Sequence, residues 1–278
     1  MMLVASGKRV LPGFGLSLGS SLFYTCLILL LPLSALAVQL SSMTWAQYWQ
    51  VIVNPQVVAA YQVTLLAAAA ASLFNMVFGM LMAWILTRYH FPGRSLLDGL
   101  MDLPFALPTA VAGLTLATLF SATGWYGAWL GNVDIKVVNT WLGIAVAMAF
   151  TSLPFVVRTV QPVLEELGPE YEEAAQTLGA SRWQTFRRVI LPEVSPALMA
   201  GAVLSFTRSL GEFGAVIFIA GNIAWQTEVV SLMIFVRLQE FDYPAASAIA
   251  SVILAASLLL LFSVNILQSR FGKRIGGH

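Results

Sequence analysis

From Val10 through Thr87 the chain carries no charged side chain. Few constraints narrow a fold as sharply, because crossing the hydrocarbon of a bilayer takes about 20 consecutive apolar residues, and this stretch holds two such spans. The rest of the chain has the same character. Of its 278 residues 59% are hydrophobic and 10% charged, and the mean hydropathy is +0.83, far from the balance of a water-soluble domain. Successive charge-poor runs predict about six spans, near 14–38, 59–87, 103–122, 139–160, 194–220 and 244–268. The runs are continuous rather than alternating. In lipid, where every backbone group must be satisfied within the chain, that means helices and not a barrel. The expected fold is all-α, one polytopic helical bundle over residues 1–278.

Charge asymmetry predicts the orientation. With Lys8 and Arg9 in the cytoplasm, alternating spans place Arg88, Arg94, Arg158, Arg182, Arg187, Arg188, Arg270, Lys273 and Arg274 on the same side. Lys136 and Arg237 fall outside, and Arg208 falls within a span. The reverse orientation violates the positive-inside rule, so both termini are expected in the cytoplasm. Topology accounts for these cations, and the net charge of +1 gives no reason to invoke nucleic acid.

One charged island, residues 161–193, separates two of the spans. Gly168-Pro169 stops the preceding segment, and proline suits the start of the next helix. Glu170, Glu172 and Glu173 crowd its first turn, facing the positive end of the helix dipole. Ala174 and Ala175 keep one face thin for close approach to another surface. Gly179 can end the helix in the left-handed conformation. Ser181 and Gln184 form a capping-box pattern for a second helix bearing Trp183, Phe186, Val189 and Ile190. Leu191-Pro192 is expected to break that helix before the next span. An amphipathic pair lying on the membrane surface explains the helical pattern, but not the full spacing from Glu173 to Pro192.

That spacing resembles the EAA loop of bacterial ABC importer permeases, with Val189 where the family has isoleucine. The resemblance implies that Glu173, Ala174, Ala175, Gly179, Leu191 and Pro192 belong to a loop on which a separate ATPase pushes. The chain has no phosphate-binding loop of its own, since Gly7-Lys8 and Gly272-Lys273 are followed by arginine rather than Ser or Thr. ATP is therefore expected on partner subunits, with no cofactor on this chain. His90 and His278 are the only histidines, too few and too isolated for a zinc site or a triad.

Arg208 and Glu212 stand in the fifth expected span. Placing an arginine at the centre of a membrane helix costs ~2.5–3.5 kcal/mol on the insertion scale, and a partner four residues away on one face offsets it. The pair is either a structural clamp or a cation beside an anion pathway. Gly211 and Gly214, with Ser205 and Ser209, favour close helix packing. The run Ser205 to Ala215 resembles the oxyanion branch of ABC permeases, for sulfate, thiosulfate, molybdate and tungstate. Asp102 to Gly113, Glu165 to Tyr171 and Phe235 to Ala245 resemble more specifically the T-type permeases of sulfate/thiosulfate importers. This implies a multi-pass protein of the bacterial inner membrane. It also implies a homologous second permease (W-type), two copies of a cytoplasmic ABC ATPase and a periplasmic sulfate- or thiosulfate-binding protein that docks near 39–58, 122–138 and 221–243. A molybdate/tungstate permease is the alternative within the class. A proton-coupled secondary anion transporter using Arg208 and Glu212 as a relay is the alternative outside it.

Three smaller features complete the reading. Lys8-Arg9, an apolar run and Ala35-Leu36-Ala37 look like a signal peptide, but the run exceeds a usual signal core and reads better as an uncleaved first span. Trp45, Tyr48, Trp49, Trp125, Tyr126 and Trp129 are expected to form an aromatic belt on the external side. Cys26 is alone and forms no intramolecular disulfide. The orientation is tested by cysteine labelling: probes at Ser181 and Gly276 should react only from the cytoplasm and a probe at Ser42 only from outside, and external labelling at Ser181 would overturn it.

Overall fold

The computed structural model describes residues 14–275, with side chains described through Phe262. Lys8, Arg9, Gly276 and His278 lie outside the described residues, as do the side chains of Arg270, Lys273 and Arg274. Among the described residues every regular element is helical: α1 Phe14–Ser41, α2 Trp45–Ile52, α3 Pro55–Arg88, α4 Arg94–Met101, α5 Leu103–Ala106, α6 Thr109–Phe120, α7 Trp125–Gly131, α8 Trp141–Glu166, α9 Glu170–Thr177, α10 Arg182–Thr185, α11 Leu191–Leu210, α12 Gly214–Ile219, α13 Val230–Gln239 and α14 Tyr243–Ile275. Among the described residues five helical stretches are long and apolar enough to cross a membrane, namely α1, α3, α8, Arg182–Leu210 and Tyr243–Phe262 of α14.

Two expected spans are interrupted. The third, 103–122, is a short α5 and a separate α6, parted at Leu107-Pro108. Proline has no N–H for the helix ladder and pushes the residue before it toward extended backbone, and Leu107 has ψ 136°. The fifth, 194–220, is α11, a break at 211–213, and then α12. The two breaks lie side by side. A Cβ on Gly214 would sit 2.1 Å from Thr109 Oγ1, and one on Gly113 would sit 2.3 Å from the Ala215 carbonyl oxygen, so α6 and α12 meet at backbone distance. Gly211 has open space around it; it ends α11 rather than permitting close packing.

The centre of the bundle is α3 packed on α8 and α11. α3 turns small residues inward and large ones outward: Thr64, Ala68, Ala71, Asn75, Gly79 and Ala83 are buried, whereas Leu66, Leu73 and Val77 are exposed. Lipid is as apolar as leucine, so close packing and interhelical hydrogen bonds, not the burial of large side chains, hold such helices together. Asn75 supplies the bonds. Its amide nitrogen shares two hydrogens among the Ala149 carbonyl at 3.0 Å, Ser152 Oγ at 2.9 Å and Ser205 Oγ at 3.1 Å. The Ser205 and Ser209 hydroxyls lie 2.9 and 3.1 Å from that of Ser152, and Ser72 donates to the Ala202 carbonyl at 2.6 Å. Three helices are thus tied at one level. By contrast α1 has no buried side chain; it is continuous through Ala35 to Ala37, and Cys26 is an exposed free thiol on it.

The packing makes a prediction about glycine. A Cβ on Gly201 of α11 would lie 2.9 Å from the Val156 Cα and 3.3 Å from the Phe155 carbonyl oxygen. Backbone cannot rotate away, so Gly201→Ala should destabilise the permease by about 1–3 kcal/mol. Gly211→Ala should stay within about 0.5 kcal/mol of wild type. Thermal unfolding in detergent separates the two.

Candidate functional site

The charged island forms a compact helical cap on one end of the bundle. α8 continues to Glu166, past the end expected near 160, and Leu167 closes it. Pro169 is the cap residue of α9, whose first turn carries Glu170, Glu172 and Glu173. Gly179 has φ +80°, and an added Cβ there would meet nothing within 4 Å, so only its backbone conformation asks for glycine. The capping box forms: Gln184 N donates to Ser181 Oγ at 3.3 Å and Ser181 N to Gln184 Oε1 at 2.8 Å. Glu173 and Ala174 face out while Ala175 is buried; Leu178 is 88% exposed.

Leu191-Pro192 does not break the second helix. The backbone runs without interruption from Arg182 to Leu210, through a π-helical turn at Phe186–Ile190. The Leu191 amide donates to the Phe186 carbonyl across that widened turn, and Pro192 follows directly, its ring and missing N–H accommodated by the π turn rather than by a helix start. The consequence is a single rod from the cap to the middle of the bundle.

Arg88, which the sequence marked only as a topological cation, fastens the cap. It ends α3 and donates through Nε to Glu172 Oε1 of α9 at 2.7 Å. Its other nitrogens donate to the Leu164 carbonyl at 2.9 Å and the Leu167 carbonyl at 2.5 Å. Those carbonyls at the end of α8 would otherwise lack helical partners, and the cation also suits the negative end of that helix. Arg158 makes a comparable tie between other elements. It bonds Asp98 of α4 and Asp102 at the α4–α5 junction, each at 2.6 Å, anchoring the chain just before the break at Leu107-Pro108. Arginine and carboxylate in such pairs are far apart in sequence, so no local pattern announces them.

Arg208 and Glu212 do come together, but not on one continuous helix. Arg208 lies in the last turn of α11, and Glu212 stands beyond its end, in the break. Arg208 Nη1 is 2.8 Å from Glu212 Oε2. The arginine side chain is 34% exposed and the glutamate 1%. Oε1 of the glutamate accepts the Ala215 amide at 3.0 Å, capping the start of α12. Its backbone carbonyl accepts the Ser231 hydroxyl at 2.7 Å. Ser231 lies on α13, within 221–243 where the sequence suggested a loop; Val230, Leu232 and Met233 of that helix are buried, and the Val230 amide donates to Thr64 Oγ1 at 3.0 Å. Glu212 therefore satisfies the broken backbone, and Arg208 answers the charge that this introduces.

At the opposite end, α2 and α7 hold the aromatic side chains. Trp45, Trp49, Trp125 and Trp129 are all more than half exposed, and Trp45 stacks on both Tyr48 and Trp49. Among the described residues no group of His, Cys, Asp and Glu could hold a metal ion.

Residues 75–277, from the Asn75 network through the last helix, match the family described as binding-protein-dependent transport system inner membrane component. The chain belongs to this family. It is a transport subunit of the inner membrane, crossing it several times. Similar curated proteins include the sulfate transport system permease protein CysT of Escherichia coli K12, 80% identical over 277 residues with all of both chains covered. The protein of the same name from Salmonella typhimurium is 81% identical over the same length, and that from Synechocystis is 48% identical over 254 residues, 91% of this chain and 88% of the relative. Among solved structures, a chain of the bacterial alginate ABC transporter in complex with an alginate pentasaccharide-bound periplasmic protein matches with a TM-score of 0.76. It is 20% identical and covers 92% of this chain and 93% of its own, a likeness of fold alone.

The Arg88 cluster makes a prediction for this permease. Hydrogen bonds to a charged group contribute about 1.5–3 kcal/mol, so Arg88→Gln should free α9 without unfolding the α3–α8–α11 core. Hydrogen exchange should accelerate about tenfold or more across 170–178 and remain unchanged around Asn75. Equal protection of 170–178 in the variant would show that Arg88 does not hold the cap.

Proposed function

We propose that this permease imports sulfate, and thiosulfate as a second oxyanion, as one half of the membrane pore of an ATP-driven importer working by alternating access. The observation that carries the reading is full-length 80% identity to a sulfate transport system permease. The partners in the proposal are a homologous W-type permease, two copies of a cytoplasmic ATPase that bind the ATP, and a periplasmic binding protein for the anion. Both termini and the α9 cap then face the cytoplasm, in line with the positive-inside asymmetry. The family's dependence on a binding protein speaks against the proton-relay alternative.

In this reading the ATPase grips the exposed side of α9, including Glu173, Ala174 and Leu178, with Gly179 setting the exit angle of the chain. Displacement passes along two routes. One is the Arg88–Glu172 contact onto the ends of α3 and α8. The other is the rod from Arg182 through Leu191 and Pro192 to Leu210, which ends at the Arg208–Glu212 break. ATP shifts the balance between two packings because the closed ATPase binds one of them better. The one-third-exposed Arg208 offers positive charge to a divalent anion in a constriction of low dielectric, while the buried Glu212 holds the break together.

The test measures complex yield and labelled sulfate uptake together, with unlabelled molybdate as competitor. Arg208→Met strands a buried carboxylate and should cost about 3–5 kcal/mol, with low yield. Glu212→Gln should be milder, because Arg208 can turn toward water and the amide oxygen can still cap α12. The double variant should recover yield but keep less than about a tenth of the uptake, the loss expected for one charge-assisted contact worth ~1.5 kcal/mol or more. Full uptake by the double variant at normal yield would make Arg208 a helix clamp, and strong competition by molybdate would reassign the substrate.

A further inference from the structure

The geometry points to a binding site for one anionic glycerophospholipid, with its headgroup beside Arg182 and one acyl chain along the groove between α3 and α11. Two cavities share Trp84 in their walls. The first, about 430 Å³, is polar and is lined by Trp84, Arg88, Tyr89, Glu172, Gln176 and Arg182 among others. The second, about 550 Å³, is apolar and is lined by Met76, Met80, Trp84, Trp183, Phe186 and Leu198 among others. Arg182 and Trp183 are consecutive, so the charged and greasy walls join without a gap in the chain.

Charge selects the occupant. Glu172 already pairs with Arg88, whereas Arg182 is exposed and makes no ion pair among the described residues. The polar cavity thus carries one uncompensated positive charge, complementary to a lipid phosphate. Three rings define the level of the headgroup: Trp84 and Phe186 meet edge to face at 5.7 Å, Trp183 stacks on Phe186 at 5.7 Å, and Arg88 lies 5.8 Å from the Trp84 centroid. Tryptophan and arginine at one depth mark the boundary of the hydrocarbon. Length agrees as well. From Arg88 down to Met76 the helix rises ~18 Å at ~1.5 Å per residue, against ~15 Å for one leaflet of hydrocarbon. The proposal is independent of which anion the pore carries. Its consequence is a lipid touching α3, the cap and the rod at once, where it can bias the coupling of cap to bundle.

The experiment purifies the complete importer in mild detergent, exchanges its lipid for a defined mixture of phosphatidylglycerol and phosphatidylcholine, and counts retained lipids by native mass spectrometry. Arg182→Gln should lower phosphatidylglycerol retention about fivefold, the effect of one interfacial cation, and leave phosphatidylcholine unchanged. Arg94→Gln removes an equally unpaired cation from α4, outside both cavities, and should change retention less than about twofold, the control for surface charge at large. Leu198→Trp narrows the groove and should lower retention of both lipids. Inorganic phosphate at millimolar concentration should not displace the lipid. Equal loss in Arg94→Gln would reduce the effect to diffuse electrostatics, and displacement by phosphate would make this a free-anion site. Absence of retained lipid in the wild type, or indifference to Leu198→Trp, would mean that another helix of the assembly fills the groove.

Discussion

Hydrocarbon offers no partner to a broken backbone or a buried amide, and this permease depends on how it meets that constraint at mid-depth. Asn75, Ser152, Ser205 and Ser209 place polar groups of three helices within hydrogen-bonding distance. Such a bond between membrane helices is worth only ~0.6 kcal/mol on average, so its strength is not the point. The network fixes the rotational setting of α3, α8 and α11, because a turn of any one would strand polar atoms in lipid. Small residues on the same faces let the helices come close enough for those bonds to form. The Asn75 carbonyl oxygen is buried without a hydrogen-bond partner among the described residues.

With that setting fixed, the two interrupted spans become possible. α6 and α12 have no room for side chains between Gly113 and Ala215 or between Gly214 and Thr109, so each break is shielded by the other. Glu212 then does for α12 what water does for a helix start in a soluble protein: it accepts a first-turn amide, that of Ala215. The carboxylate requires a cation, and Arg208 is one turn away. A pair that reads in the sequence as a membrane-buried oddity is, in the fold, the fitting that lets a span be discontinuous. Arg208 stays one-third exposed while Glu212 is buried.

The cap is joined to the bundle by charge, and the bundle to the break by a rod. Arg88 closes the end of α8 and holds Glu172, which ties α9 to the ends of α3 and α8. The π turn at Phe186–Ile190 carries the helix past Pro192 unbroken. Both features keep the cap continuous with the bundle.

By itself the sequence determined the class, the approximate spans, the charged island and the local caps. Each of these follows from composition over about 20 residues or from contacts three or four residues apart: the apolar runs, Ser181 with Gln184, the left-handed Gly179. It also brought Arg208 and Glu212 forward, because charge among apolar residues is conspicuous. The signal for the Asn75 face was present as small residues recurring at helical spacing from Thr64 to Ala83, but the apolar residues filling every other face of α3 concealed it. The breaks at Leu107-Pro108 and Gly211 to Phe213, the passage through Pro192, and the ties of Arg88 and Arg158 belong to the tertiary structure alone. Whether a proline or a glycine ends a membrane helix depends on what satisfies the freed backbone. Here that partner is the Ser231 hydroxyl, the Glu212 carboxylate or a widened helical turn, and ladder patterns in one segment carry no information about groups supplied by another.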